Sequence, residues 1–302
     1  MVEVIKLFFT GYPFSIKQRF TWLIQNLRFG SFFRKRHFKK SHLDSGENLW
    51  STIRKHFFFV SEFYPVANIL KAPVICATMF DRHTPKHAIN DKLILETMSM
   101  VALEWGDCFN ETKEVIESWL SIFGATMERA EQLAPDFPKK MRSSEFIEFG
   151  PGLGGAAQLY SRYYNARGTL FDLPEVTNLR SIIYRALSRK KNTHASFEQF
   201  TNFDELSQKV KKTNKINFIS TWAFTESPME VRESFFEILN SSQTIMIISN
   251  AKFGEIDNFA YLKNLEQRLQ HHIHISCDLS YLEKAPGYQK RHQLHIFVQK
   301  DY

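Results

Sequence analysis

The chain has 302 residues, 43% of them hydrophobic and 24% charged, with a formal net charge of +7; this balance belongs to a globular protein and excludes a disordered or low-complexity chain. Its three cysteines, Cys76, Cys108 and Cys277, are odd in number and far apart, which excludes a disulfide framework or a zinc knuckle and fits a reducing compartment. No apolar run reaches the ~18 residues of a membrane span, and the opening MVEVIKLFFTGYPF lacks the apolar length and small-residue cleavage site of a secretory signal, so the expected location is the cytoplasm.

The positive charge is gathered at one end. Residues 1–56 carry eleven Lys/Arg against three Asp/Glu, a net +8, and the rest of the chain carries 28 against 29. Within residues 1–45, Phe20, Leu23, Ile24 and Leu27 recur at helical spacing beside Arg19 and Arg28. Such a basic, aromatic arm either lies on an anionic surface, such as the inner membrane face, or packs its rings on the protein's own body.

Residues 46–140 read as helices. NDKLILETMSMVALEW and TKEVIESWLSIFGATMERAEQL both repeat apolar residues near a 3.6 period, and Gly124 is expected to bend or split the second. This region would serve as a lid or as the contact of a homodimer. The prolines of APDFPKK mark a boundary, after which residues 141–302 form the third unit. From Ser144, strand-like and helical runs alternate: EFIEF, GAAQLYSRYY, GTLFDL, TNLRSIIYRAL, INFISTW, MEVRESFFEIL, TIMIIS and FAYLKNLEQRL. That progression predicts a parallel sheet wrapped by helices. The last two strand candidates, HIHISC and LHIFVQ, have no helix between them and are expected to pair antiparallel.

The densest signal is EFIEFGPGLGG, which holds four of the twelve glycines within residues 150–155. It follows a strand and precedes a helix, so bare backbone and a helix N-terminus meet there, as nucleotide sites require. The spacing satisfies both GxGxG and GxGxxG. Asp172, 22 residues after Gly150 at the end of the next strand, is placed to accept both ribose hydroxyls. No GK[ST] follows, so this is not a Walker loop.

EFGPGLGG followed by FDLPEV resembles the class I S-adenosylmethionine-dependent methyltransferases. FDLP is similar to the second-strand motif of small-molecule O-methyltransferases, and FISTWAFTESPMEVRESFFEIL resembles the fourth-strand region of bacterial sugar O-methyltransferases. The resemblance spans roughly residues 90–300. It implies a Rossmann-like α/β sheet of parallel strands with an antiparallel C-terminal strand, preceded by the helical region. It implies S-adenosylmethionine as cofactor, with Glu148, Gly150, Gly152 and Gly154 at its methionine part, Asp172 on the ribose and Leu173 flanking the adenine. Ser196 and Phe197 are the expected adenine side of the poorly marked third strand, and Ser220, Thr221 and Trp222 the residues beside the methyl donor.

Methyl transfer to a hydroxyl needs alignment and a proton acceptor. Ser227 and Glu230 form an S-x-x-E capping box with Pro228 at the first helical position, which leaves Glu226 in the preceding loop as candidate base. Plant O-methyltransferases carry a catalytic His in this region, and this sequence has none. APGYQKRHQLH supplies Tyr288 and Arg291 as candidate substrate ligands and His292 as a second catalytic candidate. The pairs His83/His87 and His272/His274 lack a third ligand, and no metal is expected. The expected acceptor is a sugar or glycan precursor, with another small-molecule or phosphoryl acceptor, or an NAD(P)-linked oxidoreductase, as alternatives. No [DN]PP[YFW] follows the fourth strand and the basic charge is confined to one end, so no nucleic-acid partner is expected.

Overall fold

The computed structural model describes residues 54, 56–58, 60–62, 64–80, 84–190, 197–213, 215–280, 282 and 291–300. The basic arm at 1–45 and the site candidates Ser196 and Tyr288 lie outside the described residues, as does His83.

A short helix, α1 (Pro73–Thr78), precedes a helical hairpin of α2 (Lys92–Phe109) and α3 (Lys113–Leu133). Both hairpin helices start on side-chain caps: the Asp91 carboxylate accepts the Ile94 N–H, and the Thr112 hydroxyl accepts the Val115 N–H. Gly124, expected to bend or split α3, does not split it. A Cβ at that position would stand 2.6 Å from Met98 Sδ and 2.7 Å from Ile89 Cδ1, so the glycine lets α3 close on α2 while the helix runs on. APDFPKK, read as a boundary, is itself partly helical. It forms α4 (Phe137–Arg142), whose Phe137 and Met141 are buried.

The main sheet contains β1 (Glu145–Phe149), β2 (Gly168–Phe171), β3 (Glu198–Phe200), β4 (Ile216–Thr221), β5 (Thr244–Asn250), β8 (His272–Asp278) and β9 (His292–Gln299). Their order is β3-β2-β1-β4-β5-β9-β8. The first five are parallel; β9 runs antiparallel to β5, and β8 to β9. This is a mostly parallel, Rossmann-like α/β sheet with its late strand inserted in reverse, as expected. The β8–β9 pairing and the runs read as β1, β2, β4 and β5 stand where the sequence placed them.

Alternation along β1 sends Phe146 to one face and Ile147 and Phe149 to the other. On the first face lie α2, α3, α4, α5 (Gly155–Tyr164) and α6 (Pro174–Lys190). On the second lie α7 (Phe203–Val210), α8 (Met229–Ser234), α9 (Phe236–Ser241) and α10 (Asn258–Arg268). MEVRESFFEIL was expected as one helix; it breaks at Phe235 between α8 and α9. A small ribbon, β6 (Lys252–Phe253) with β7 (Ile256–Asp257), turns at Gly254 and has no counterpart in the sequence reading.

The helical hairpin is continuous with the first core. Trp105 and Trp119 are buried together with Tyr160 and Leu179. Trp105 Nε1 donates to Gln158 Oε1 at 3.1 Å, and Arg162 forms a two-pronged pair with Glu104. A Cβ at Gly155 would lie 2.2 Å from the Trp119 ring. The hairpin is therefore seated directly on the first turn of α5, and its position bears on the glycine loop.

Candidate functional site

The site is built where β1 ends. Gly150, Gly152 and Gly154 all hold positive φ (66°, 55° and 83°), a conformation that costs side-chain-bearing residues about 1–2 kcal/mol. Two of the three are also sterically pinned. A Cβ at Gly150 would fall 2.1 Å from Ala223 Cβ in the loop after β4, and one at Gly154 would fall 2.0 Å from Tyr184 Oη on α6. Gly152 is different: its nearest neighbour would be Met79 at 3.5 Å, ordinary contact. The bareness of the loop thus serves packing at Gly150 and Gly154 and leaves room at Gly152.

Asp172, just past β2, is clamped to this loop. Its Oδ2 accepts the Gly152 N–H at 3.1 Å and pairs with Arg180 Nη1 at 3.0 Å, while Oδ1 accepts the Leu173 N–H at 2.8 Å. Arg180 is fully buried and also donates to Gly152 O, Gln199 Oε1 and Thr177 Oγ1. Sequence reading missed this residue. The available signal was an arginine flanked by Val176, Leu179 and Ile183 on the buried face of α6. Leu173 sits in the first core at 8% exposure, so most of its surface is taken up by packing rather than by a ring beside it.

Glu148 is the most informative side chain. It is fully buried, and neither carboxyl oxygen has a hydrogen-bond partner. Burial pushes its pKa up to about 8, with Arg180 opposing and Asp172 adding to the rise. An unsatisfied buried carboxyl costs free energy and calls for a donor that binds there.

The expectation for Phe197 is corrected. It precedes β3 at the amino end of the strand, beside Phe146 and Tyr184 and against Gly168, which is the edge of the sheet opposite the glycine loop. The carboxyl end of β3 leads instead to Thr201 and α7. There a cavity of about 210 Å³ opens between the ends of β2 and β3 and the start of α8. Phe171, Phe203 and Phe235 supply aromatic walls, and Thr201, Asp204 and Glu230 supply polar groups. No motif marked it, because its lining comes from three separate segments.

The loop after β4 forms the other half of the edge. Ser220 does not face a ligand. It is fully buried, donating to Phe149 O and accepting the Phe224 N–H, so its expected cofactor role is corrected to loop support. Thr221 is half-buried, and its carbonyl accepts the Ala223 N–H. Trp222 has φ +67°, a strained conformation for a bulky residue and a marker of functional loops. Its indole donates to His292 Nδ1 at 3.0 Å, which leaves the neutral imidazole with its proton on Nε2. That bond occupies the basic nitrogen, so His292 positions Trp222, and its nomination as a base is corrected. The capping box is absent too: α8 has Pro228 at its N-cap with no side-chain cap, and Ser227 donates back to Phe224 O. Glu226 does lie in the loop before the helix, where its Oε1 accepts from Asn250 Nδ2 at 3.1 Å. Asn250 is held by Asn258, which also receives Arg232 Nη1. Arg291 stands at the same edge, but Asp278 already meets its guanidinium with two contacts of 3.1 Å. His274 is engaged with Glu266 and His295 rather than with His272. Among the described residues no group of three His, Cys, Asp or Glu is placed to hold a metal ion, and no helix is long and apolar enough to cross a membrane.

No protein-family model matches the sequence, and no curated protein matches it significantly. Solved structures with a similar fold include magnesium protoporphyrin IX methyltransferase from Synechocystis PCC 6803 with bound S-adenosylmethionine (8% identity, 70% of this chain, 100% of that one, TM-score 0.44). Others are an O-methyltransferase family protein from Burkholderia thailandensis (11%, 69%, 72%, TM-score 0.38) and an arsenic(III) S-adenosylmethionine methyltransferase from Chlamydomonas reinhardtii (11%, 58%, 73%, TM-score 0.40).

Proposed function

We propose that this chain is an S-adenosylmethionine-dependent methyltransferase that acts on a hydroxyl of a sugar or glycan precursor. The observation that carries the cofactor reading is the buried, partnerless carboxyl of Glu148 at the end of β1, beside a positive-φ glycine loop. An α-ammonium group is the donor that such a carboxyl needs. Asp172 retains acceptor capacity on Oδ1 toward ribose hydroxyls, since an ionised carboxylate has about four lone-pair sites. The aromatic cavity at Phe171, Phe203 and Phe235 suits an adenine ring, with Asp204 and Glu230 in reach of polar edges. The dehydrogenase alternative fits less well, because dinucleotide folds of the common type carry a sixth parallel strand where this sheet has the reversed β9.

S-adenosylmethionine supplies a methyl group already activated on a sulfonium centre. The chain must hold the acceptor in line and take up its proton. Glu226 suits the proton-accepting role, because it sits in the loop after β4 with one oxygen oriented by Asn250. The half-buried Trp222 ring, fixed by His292, offers the acceptor a flat apolar face, the kind of surface on which the C–H side of a sugar ring rests. The sugar assignment draws on this ring and on the likeness of the fourth-strand segment. Calorimetric titration with S-adenosylhomocysteine and, separately, with NADH tests the cofactor. Micromolar binding of the former alone is expected; binding of NADH alone overturns the reading. Screening sugar hydroxyls with purified protein then tests the acceptor.

A further inference from the structure

Glu148 shares its face of the sheet with Phe146 and is directed at the α5–α6 layer. The charged and titratable groups that act on it are Asp172 after β2 and Arg180 on α6, with Tyr184 one turn along the same helix. Arg180 is already committed to Asp172, Gly152, Gln199 and Thr177. Its charge offsets Asp172, and Glu148 is left beside a matched pair with no donor of its own. A carboxylate without water or donors incurs a large desolvation cost and keeps its proton instead.

We propose that Glu148 is a neutral, protonated carboxyl in the ligand-free protein and recognises the cofactor by proton exchange, the ligand's α-ammonium expelling the carboxyl proton to solvent. The inference rests on the S-adenosylmethionine reading above. The bond that breaks is the Glu148 O–H. Its electron pair stays on the carboxylate oxygen, the proton passes to buffer, and the ammonium keeps its own protons as it pairs with the new carboxylate. A ligand with no cation at this position leaves Glu148 protonated and gains nothing from it. The subsite therefore selects nucleosides that carry an amino-acid group over bare thioether nucleosides.

The sign of the pH dependence follows. The ligand-free carboxyl holds its proton up to about pH 8, and the bound carboxyl, beside a cation, releases it at lower pH. Affinity should therefore rise with pH, about tenfold per unit between pH 6 and 7, and level off above pH 8.

Titration calorimetry of the full chain with S-adenosylhomocysteine, repeated in buffers of different ionisation enthalpy, counts the protons released. With a ligand-free value of about 8, release should be about 0.9 proton at pH 7 and about 0.5 at pH 8. 5′-Methylthioadenosine, which lacks the ammonium, should release none and bind with the same affinity from pH 6 to 8. Glu148→Gln should bind S-adenosylhomocysteine without proton release. Buffer-independent heats with S-adenosylhomocysteine sink the proposal and leave the cofactor reading standing. Equal proton release with 5′-methylthioadenosine sinks it as well, because the proton then does not answer to the ammonium. If S-adenosylhomocysteine does not bind at all, the cofactor reading fails and takes the proposal with it. The two-ligand comparison uses the unmodified protein, so it stands even if Glu148→Gln folds poorly.

Discussion

The two halves of the sheet's carboxyl edge are locked by different chemistry. At β1–β2 the lock is a formal ion pair, Asp172 on Arg180, reaching the glycine loop through Gly152. At β4–β5–β9 the locking bonds are made largely by neutral groups: Ser220 on the Phe149 carbonyl, Trp222 on His292, and Asn258 on Asn250. The buried Arg232 guanidinium joins this half through the Thr225 and Ser227 carbonyls and Asn258, over the Tyr261 ring. Removing one member of a buried charge pair strands the other at a cost of about 3–5 kcal/mol, whereas one neutral hydrogen bond is worth about 1 kcal/mol. The β1–β2 half, proposed to hold the cofactor, should therefore fail as a unit, and the β4–β5–β9 half, proposed to hold the acceptor, should yield bond by bond.

Asp172→Ala gives the sharpest test. It strips the loop of its clamp and leaves Arg180 buried without its carboxylate. Urea titration should show a loss of about 3–5 kcal/mol, and S-adenosylhomocysteine binding should disappear. A loss under about 1 kcal/mol, the size of a single neutral hydrogen bond, would mean that the pair does not hold the loop. Glu226→Gln is the counterpart on the acceptor half. The Asn250 contact survives through the amide oxygen, so stability and S-adenosylhomocysteine affinity should stay put while turnover drops about 10²–10⁴-fold, the span of a general base. Unchanged turnover would remove Glu226 from the chemistry.

Gly154→Ala sets the steric part of the lock against conformation alone. Gly154 has φ +83° and Tyr184 Oη 2.0 Å from the added Cβ; Gly254 has φ +56° with nothing within 4 Å. Thermal unfolding should place Gly154→Ala about 2–3 kcal/mol below the parent, strain plus overpacking. Gly254→Ala should cost about 1 kcal/mol, strain alone. Equal losses would show that the α6 buttress gives way freely.

The same contrast explains what the sequence could disclose. Glu148, the glycines and Asp172 lie within 25 consecutive residues, from Glu148 to Asp172, on two adjacent strands, so one motif reports their neighbourhood. The centre of the sheet was legible because β1, β2, β4 and β5 bury both faces and read as apolar runs. The cavity and the Trp222–His292 bond join segments far apart in the chain, and no spacing rule encodes them. Phe197 was misplaced for a related reason. β3 is only three residues long, and a strand that short carries no period from which to tell its ends. Gly124 misled because a glycine that opens space for Met98 looks, in one dimension, like a glycine that breaks a helix. The capping box failed although its letters were right, since Ser227 found a closer acceptor in the Phe224 carbonyl.

Trp222→Phe is the most local of the expected effects. It keeps an aromatic ring in the loop and deletes the N–H that holds His292 Nδ1. The buried nitrogen then lacks its donor, at a cost of about 1–2 kcal/mol. The imidazole becomes free to carry its proton on Nδ1, and nitrogen chemical shifts of His292 should report that tautomer gaining population. Because the acceptor half yields bond by bond, S-adenosylhomocysteine affinity should hold within about twofold, under the worth of one neutral hydrogen bond, while KM for the acceptor rises. A parallel collapse of cofactor affinity would show that the two halves share one lock through the contact of Ala223 with Gly150, and the distinction between them would have to be given up.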